Sequence, residues 1–261
     1  MKENKKAVAV VADFKFLRKY ATTFISNLRN QGNYQGEVLI LTSLITPTFL
    51  IKIIKKDSNV SVVRLPKIKF DKKTKKRFLG LNTNSQPNRF KKKNFQWFKL
   101  NLFHMRLKEW DKIFYLDINL IIHKDLNDLL KIEVDDSFLA KADGYPDYSR
   151  LLISQFDKSQ PEIKQMEKMF NLYANDYFQT GLMYFDTSII HKDMIDDILK
   201  IAEEFPVSIT NEQGVLNLYF QNRKGVFKEL PEYLGDDIIY YYWMIKNKSI
   251  LITKQLVEQY K

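Results

Sequence analysis

The chain has 261 residues, of which 45% are apolar and 28% charged, a composition typical of a globular protein that buries one sizeable core. It contains no cysteine, which excludes disulfides, a thiol nucleophile and a cysteine-ligated zinc site. The apolar residues 7–12 are too few for a signal-peptide core, and no stretch approaches the roughly 18 apolar residues of a membrane helix. We therefore expect a soluble, cytoplasmic protein without a membrane span.

The net charge of +11 is concentrated in one segment. Residues 52–93 carry 15 Lys or Arg against two Asp, a local charge of +13, whereas the rest of the chain sums to −2. This segment is either a solvated, lysine-rich loop or an electropositive funnel for a phosphate-bearing ligand. Nucleic acid is a disfavoured partner, because the nearby aromatic residues do not alternate with the charges as a base-stacking platform would.

The amino-terminal quarter of the chain alternates between predicted strands and helices. Residues 7–12 form an apolar run rich in β-branched side chains, which predicts a strand buried on both faces. Helical spacing of apolar residues predicts a helix over 17–28. Two further strands are predicted over 38–41 and 60–65, with a short helix over 48–56 between them. This alternation is typical of an α/β fold with a central, mostly parallel sheet flanked by helices.

The middle of the chain begins with a predicted long loop over residues 67–93, which shows no apolar periodicity. Helical spacing returns over 95–110, and 112–116 read as another buried strand. An extended segment over 120–122 and a short helix over 125–130 follow.

The second half is less regular. Its predicted elements are strands over 138–142 and 181–185, helices over 161–173, 193–204 and 211–220, and an unassigned aromatic and basic stretch over 238–261.

An acid and an amide follow the strand over 112–116, as Asp117 and Asn119. Ligands of open α/β sheets bind just beyond the carboxyl ends of the strands. An Asp at this place can bind a divalent cation that bridges a diphosphate, or accept a ribose hydroxyl. It can equally cap the turn that follows, and the residue alone does not decide between these roles.

Residues 99–130 resemble the core of glycosyltransferase family 8, the glycogenin-like enzymes. The resemblance rests on 110–112 (WDK), 115–117 (YLD) and 125–126 (DL). Two more blocks follow in the family's order. Residues 177–183 (YFQTGLM) resemble its FN(S/A)G strand, and residues 211–217 (NEQGVLN) its DQxxLN helix start.

The resemblance covers most of residues 7–235 and implies a single glycosyltransferase domain over 1–261, with a Rossmann-like GT-A fold. About 1–130 would form the nucleotide-binding half, and about 131–261 the half for the donor sugar and the acceptor. The implied reaction transfers a hexose from a UDP-sugar to an acceptor hydroxyl with retention of configuration. The implied partners are the UDP-sugar donor and a glycan or protein acceptor.

By the same resemblance, Asp117 would contact the metal and the ribose, and Asn119 would stand where the family has its second metal-binding Asp. Lys99 would neutralise the diphosphate charge. Glu212 and Gln213 would hold the sugar hydroxyls near the anomeric carbon, so that Glu212, Gln213 and Lys99 are the expected catalytic residues. The other expected nucleotide- and sugar-binding residues are Val11, Ala12, Asp13, Phe16, Arg89, Ile118, Gln179, Thr180 and Gly181.

Each of these residues also has a purely structural interpretation. Lys99 can be an ordinary exposed helix lysine, Gly181 can terminate a turn, and Glu212 can cap a helix that begins near Thr210. We assign no covalent nucleophile.

Two departures from the family bear on the expected cofactor, a divalent cation (Mn or Mg). Asn119 is neutral, and the family's late metal-binding His has no counterpart, because the chain has only His104, His123 and His191. Either metal binding relies on the diphosphate, or the basic loop over residues 67–93 replaces the cation, or catalysis is lost while nucleotide binding persists. The sequence therefore also allows a catalytically weak or inactive transferase-like protein that binds a nucleotide or glycan.

Overall fold

The structure is a computed structural model that describes residues 5–55, 59–81, 89–122, 124–144, 148–223, 225–230 and 239–241. The strands in this part of the chain are β1 (Lys6–Val11), β2 (Glu37–Ser43), β3 (Val60–Leu65), β4 (Lys112–Leu116), β5 (Leu120–Ile122), β6 (Phe138–Ala142), β7 (Phe178–Asp186), β8 (Phe227–Glu229) and β9 (Ile239–Tyr241). Seven of them form a mostly parallel sheet in the order β3-β2-β1-β4-β7-β6-β8, and β5 pairs antiparallel with β9.

The helices that accompany these strands are α1 (Phe14–Asn30), α2 (Thr48–Ile54), α3 (Lys72–Gly80), α4 (Arg89–Lys92), α5 (Asn127–Leu130), α6 (Ile163–Met169), α7 (Met194–Glu204) and α8 (Glu212–Gln221). Short 3₁₀ helices span Asn94–Phe103, Met105–Glu109, Leu152–Gln155 and Thr187–Ile189. No helix in the described ranges is both long and apolar enough to cross a bilayer.

The chain divides into two compact units. The first, here named the β1–β3 unit, comprises Lys6–Arg64 and Phe114–Glu133 together with the described residues 239–241. The second, named the β6–β8 unit, is formed by Leu65–Ile113 and Val134–Leu230.

The β1–β3 unit is built on parallel pairing of β1 with β2, in which Ala7 lies opposite Glu37. β1 is buried along almost its whole length, as the apolar run predicted. The side chain of Asn27 in α1 binds both backbone groups of Ile122 in β5, with its amide nitrogen 2.6 Å from the carbonyl oxygen and its oxygen 2.8 Å from the amide nitrogen. A buried side chain thus replaces the ladder partner that β5 would need on this side.

The β6–β8 unit is built on antiparallel pairing of β6 with β7, and β8 pairs in parallel with the other side of β6. Its core is aromatic. The ring of Phe138 in β6 lies 4.7 Å from that of Phe178 in β7 and 4.8 Å from that of Phe220 in α8, centroid to centroid. These contacts fix α8 against β7, and both elements carry site residues.

The prediction of a loop over 67–93 is wrong, because the segment contains α3 and α4. Asp71 caps α3, since its carboxylate accepts a hydrogen bond from the backbone N–H of Thr74 at 2.7 Å. Phe78 is the apolar anchor of α3, and it packs against Phe70, Phe90 and Trp97 with ring centroids 5.0 to 5.4 Å away. Phe70, Phe78 and Trp97 are buried and Phe90 is half-buried. Because these rings come from separate short segments, the sequence shows no local periodicity.

The helix predicted over 95–110 is instead a pair of 3₁₀ helices, interrupted at His104 by extended backbone. Residues 97–103 are all buried, so the segment has no solvent-facing side of the kind that an amphipathic α-helix keeps. β7 is also longer than predicted, since it begins at Phe178 rather than at Gly181.

We predict that Phe78→Ala lowers the free energy of unfolding by about 3–5 kcal/mol, because it removes the ring that anchors α3. Its neighbour Leu79 is 46% exposed, so Leu79→Ala is the matched control, with an expected change of no more than about 0.5 kcal/mol. Urea denaturation of both variants measures the difference. Equal effects of the two substitutions would show that α3 is not anchored in this way.

Candidate active site

A buried ion pair lies at the centre of the polar residues in the β6–β8 unit. The ammonium of Lys99, in the 3₁₀ helix Asn94–Phe103, lies 3.3 Å from Oε1 of Glu212, the first residue of α8. The two side chains are 7% and 1% exposed. Removing a charge from water is costly unless an opposite charge and hydrogen bonds compensate it, so each side chain depends on the other.

Thr180 of β7 connects this pair to the strand. Its hydroxyl donates to Oε1 of Glu212 at 3.0 Å, and its carbonyl oxygen accepts from the Lys99 ammonium at 3.0 Å. Its backbone N–H donates to Oε1 of Gln213 at 3.3 Å. The structure thus brings together Lys99, Thr180, Glu212 and Gln213, one or two from each of the three sequence blocks.

One oxygen of this cluster has no hydrogen-bond partner among the described residues. Oε2 of Glu212 is buried and unpaired there, whereas Oε1 accepts from Thr180 and faces Lys99. A buried carboxylate oxygen without a donor costs free energy until a donor arrives. Because this oxygen is sealed from solvent, a ligand hydroxyl can donate to it only if the side chains around it move.

The chain enters α8 through a strained residue. Asn211 has φ 58°, a backbone conformation that non-glycine residues rarely adopt, and its amide nitrogen donates to Oε1 of Gln96 at 2.6 Å. A Cβ at Gly214 would lie 2.7 Å from the Ser208 hydroxyl and 3.0 Å from a ring carbon of Phe156. Glycine at position 214 therefore lets the first turn of α8 approach its neighbours closely.

Asn217, one turn later in α8, holds the start of β7. Its oxygen accepts from the backbone N–H of Phe178, and its nitrogen donates to the carbonyl oxygen of the same residue, both at 2.9 Å. This pairing fixes β7 and α8 in register, and with them Thr180 and Glu212. It also explains why β7 begins earlier than the sequence predicted.

Arg89 lies near the same carboxylate, in α4. Its guanidinium is half-buried, with a buried Nε that finds no partner in the described part of the chain. Burial lowers the pKa of Arg89, and the negative charge of Glu212 opposes that shift. The guanidinium therefore contributes a second positive charge to the surroundings of Glu212.

The other two expected residues of β7 are Gln179, which is half-buried, and Gly181, which is buried.

Sequence reasoning missed a polar network behind Gln213. The Gln213 amide nitrogen donates to Oε1 of Gln155 at 2.9 Å, and the Gln155 amide nitrogen donates to Oδ2 of Asp143 at 3.0 Å. Tyr177 donates its hydroxyl to the same Asp143 oxygen at 3.0 Å, and Arg150 lies 3.3 Å from it. No sequence signal marks Gln155, which sits in a stretch without recognisable motifs.

The β1–β3 unit contains the acid and the amide that follow β4. Asp117 and Asn119 are half-buried, and Ile118 between them is buried. The hydroxyl of Tyr115, a fully buried residue, donates to Oδ1 of Asp117. This hydrogen bond orients the carboxylate at the end of the strand.

The same unit contains four more of the expected nucleotide- and sugar-binding residues. Asp13 caps α1, with Oδ1 accepting from the Phe16 N–H at 2.9 Å, and the Phe16 ring is 44% exposed. Val11 and Ala12 are buried. The Ala12 N–H donates to the carbonyl oxygen of Leu41 at 3.1 Å, so that this backbone group is used within the sheet.

A divalent cation would find one carboxylate and one amide oxygen at Asp117 and Asn119. No group of three or more Asp, Glu or His residues in the described ranges could hold a metal. Mg²⁺ is often bound by one or two carboxylates, with substrate phosphates and water supplying the other ligands. The donor set therefore fits only a cation that takes most of its ligands from a bound diphosphate.

The fold and this cluster define a glycosyltransferase. The sequence profile of Glycosyl transferase family 8 matches residues 7–232, so the chain belongs to glycosyltransferase family 8. A comparison with curated protein sequences finds no match.

Solved structures show the same GT-A fold at low sequence identity. Galactosyltransferase LgtC in complex with donor and acceptor sugar analogues has a TM-score of 0.52 and 16% identity, over 85% of this chain and 72% of LgtC. GlyE of Streptococcus pneumoniae TIGR4 has a TM-score of 0.55 and 14% identity, over 98% of this chain and 52% of GlyE. Core-mannan synthase A of Aspergillus fumigatus, in its Mn/GDP form, has a TM-score of 0.58 and 9% identity, over 92% of this chain and 75% of that protein.

Proposed function

We propose that this glycosyltransferase transfers a hexose from a UDP-sugar to an acceptor hydroxyl, with retention of configuration. The observation that carries the proposal is the buried Oε2 of Glu212, which has no donor among the described residues. A donor-sugar hydroxyl supplies the missing hydrogen bond. LgtC, a member of the same fold, was solved with donor and acceptor sugar analogues.

Lys99 acts in this proposal by placing a positive charge against the buried Glu212 side chain. Its ammonium lies 3.3 Å from Oε1 of Glu212 and also donates a hydrogen bond to the Thr180 carbonyl oxygen. A carboxylate accepts hydrogen bonds more strongly than a neutral acid, so the pair strengthens the contact to the sugar hydroxyl. Gln213 binds the sugar through its amide. Gln179 and Gly181, which flank Thr180 in β7, line the sugar pocket in this proposal.

The positive charge of Arg89 serves the diphosphate. Its half-buried guanidinium is a permanent cation, and the buried Nε is a donor without a partner in the described chain. As the UDP leaving group accumulates negative charge, cations that are already in place lower the barrier.

The nucleotide is assigned to residues of the β1–β3 unit. The exposed side chain of Phe16 offers an apolar face to the base, and Val11, Ala12 and Asp13 are assigned to the same nucleotide. The carboxylate of Asp117, oriented by Tyr115, accepts a ribose hydroxyl. These assignments correspond to a nucleotide-binding half at about residues 1–130 and a sugar and acceptor half at about 131–261.

The proposed cofactor is Mn²⁺ or Mg²⁺, held at Asp117 and Asn119. A cation there would neutralise charge on the diphosphate, and the protein contributes one carboxylate and one amide oxygen to it. The Mn/GDP form of core-mannan synthase A supports this choice for the fold. The cytoplasmic location expected from the sequence stays a prediction.

A second candidate function is binding of a nucleotide or glycan without turnover. Asn119 favours it, because a neutral ligand in place of a second carboxylate weakens cation binding. Transfer and nucleotide binding both predict that UDP binds, whereas glycan binding does not, and only transfer predicts release of UDP from a UDP-sugar.

We predict that a screen of UDP-hexoses with Mn²⁺ finds at least one from which the protein releases UDP. Asp117→Asn should lower kcat/KM for that donor roughly ten- to hundredfold, because it removes a charge-assisted contact. Asp128→Asn is the matched control, since Asp128 has a side chain 71% exposed in the same unit. UDP binding without release from any donor would favour nucleotide binding without turnover, and no binding of UDP would contradict both transfer and nucleotide binding.

We further predict that Asn119→Asp tightens Mn²⁺ binding in the presence of UDP by on the order of tenfold, because it adds a second carboxylate. Electron paramagnetic resonance of free Mn²⁺ measures the affinity directly. Asn30→Asp adds the same charge at an exposed position of α1 and should leave it unchanged. If the Asn119→Asp variant and the unmodified protein bind Mn²⁺ with equal affinity, residue 119 is not a ligand of the cation.

A further inference from the structure

The hydrogen bonds of the network behind Gln213 run in one donor-to-acceptor order, from Gln213 through Gln155 to Asp143, because Asp143 can only accept. A carboxylate accepts hydrogen bonds and donates none, whereas an amide has one donating and one accepting end. Asp143 is buried, with Oδ2 3.0 Å from both the Gln155 amide nitrogen and the Tyr177 hydroxyl. Burial raises the pKa of Tyr177, and the charge of Asp143 raises it as well, so the phenol keeps the proton that it donates.

The direction passes through Gln155 to Gln213. Because the nitrogen end of Gln155 faces Asp143, its oxygen end faces Gln213 and accepts from the Gln213 amide nitrogen at 2.9 Å. The oxygen end of Gln213 then faces the Thr180 backbone N–H, at 3.3 Å. Gln155 is fully buried, so water cannot replace either partner of its amide and allow the amide to flip.

We propose that Gln155 is a positioning residue which, with Asp143, fixes the orientation of the Gln213 amide in the donor-sugar site. The inference rests on the proposed function, because Gln213 is assigned there to the sugar. Thr180 donates to both acceptors of the cluster, through its hydroxyl to Glu212 and through its N–H to Gln213. A carbonyl oxygen has a second lone pair, so an oriented Gln213 can still accept from a sugar hydroxyl.

Exchanging the charge between positions 143 and 155 tests this directional role. Asp143→Asn removes the acceptor-only group, so both orientations of Gln155 become available. Gln155→Glu removes the donor to Asp143 and sets two carboxylates against each other, and their repulsion displaces the side chain at 155 from Gln213. In the double variant, Glu at 155 accepts from Gln213 and from Asn at 143, so the original orientation of Gln213 returns.

We expect each single variant to lower kcat for UDP release roughly tenfold or more, and the double variant to recover most of that loss. KM for the donor should change less than kcat. Variants that differ in melting temperature but share the kcat of the unmodified protein would overturn the proposal. Additive losses in the double variant would overturn it as well.

A second readout does not require activity. Nuclear magnetic resonance of glutamine-labelled protein, with the Gln213 signal assigned by its loss in Gln213→Met, reports the side-chain amide directly. In the unmodified protein and the double variant we expect the two proton signals of the Gln213 side-chain NH₂ group to be sharp and hydrogen-bonded. In Asp143→Asn we expect these two signals to be broadened. If no UDP-sugar is turned over, the proposed function fails and this signal still decides the role of Gln155. An unchanged Gln213 signal in Asp143→Asn would overturn the inference.

Discussion

The buried pair of Lys99 and Glu212 is the interaction on which the rest of the site depends. Neither charge is stable alone at such burial, so the 3₁₀ helix that carries Lys99 and the first turn of α8 must be held together. The surrounding structure provides that constraint through Asn217, which holds β7, and through Gly214, which allows close packing of α8. The outcome is a carboxylate with one oxygen satisfied by the protein and the other without a donor among the described residues.

Much of the fold was predictable because its signals are local. The buried run of β1 and the periodic apolar positions of α1 are contiguous in sequence, and both elements formed where they were predicted. The helix α3 was not predictable in the same way. It depends on Phe78 meeting Phe70, Phe90 and Trp97, which are contributed by separate short segments. Lysines dominate the composition of residues 67–93, so the sequence does not indicate that α3 has a buried face.

The site residues that the sequence predicted also differ from the one it missed in whether they lie in a recognisable local pattern. Glu212, Gln213 and Thr180 lie in blocks whose order resembles the family. The structure brings Glu212 and Thr180 into contact with Lys99, and Gln213 into contact with Thr180. Gln155 had no such context, because a single glutamine in an irregular stretch carries no pattern. The role proposed for it rests on its burial and on its hydrogen bonds to Asp143 and Gln213, which only the folded chain creates. The roles of Asp117 and Asn119 stay predictions, since their residue types allow a cation without requiring one.

The most direct test of this account compares the binding of UDP and UDP-hexose by isothermal titration calorimetry in the unmodified protein and in Glu212→Gln. The exposed Glu203→Gln serves as the control for the loss of one glutamate charge. If Glu212 reads the sugar, its substitution weakens UDP-hexose roughly tenfold or more and changes UDP by less than about twofold. Equal weakening of both ligands, or of neither, would contradict the claim that the unpaired oxygen of Glu212 belongs to the donor sugar.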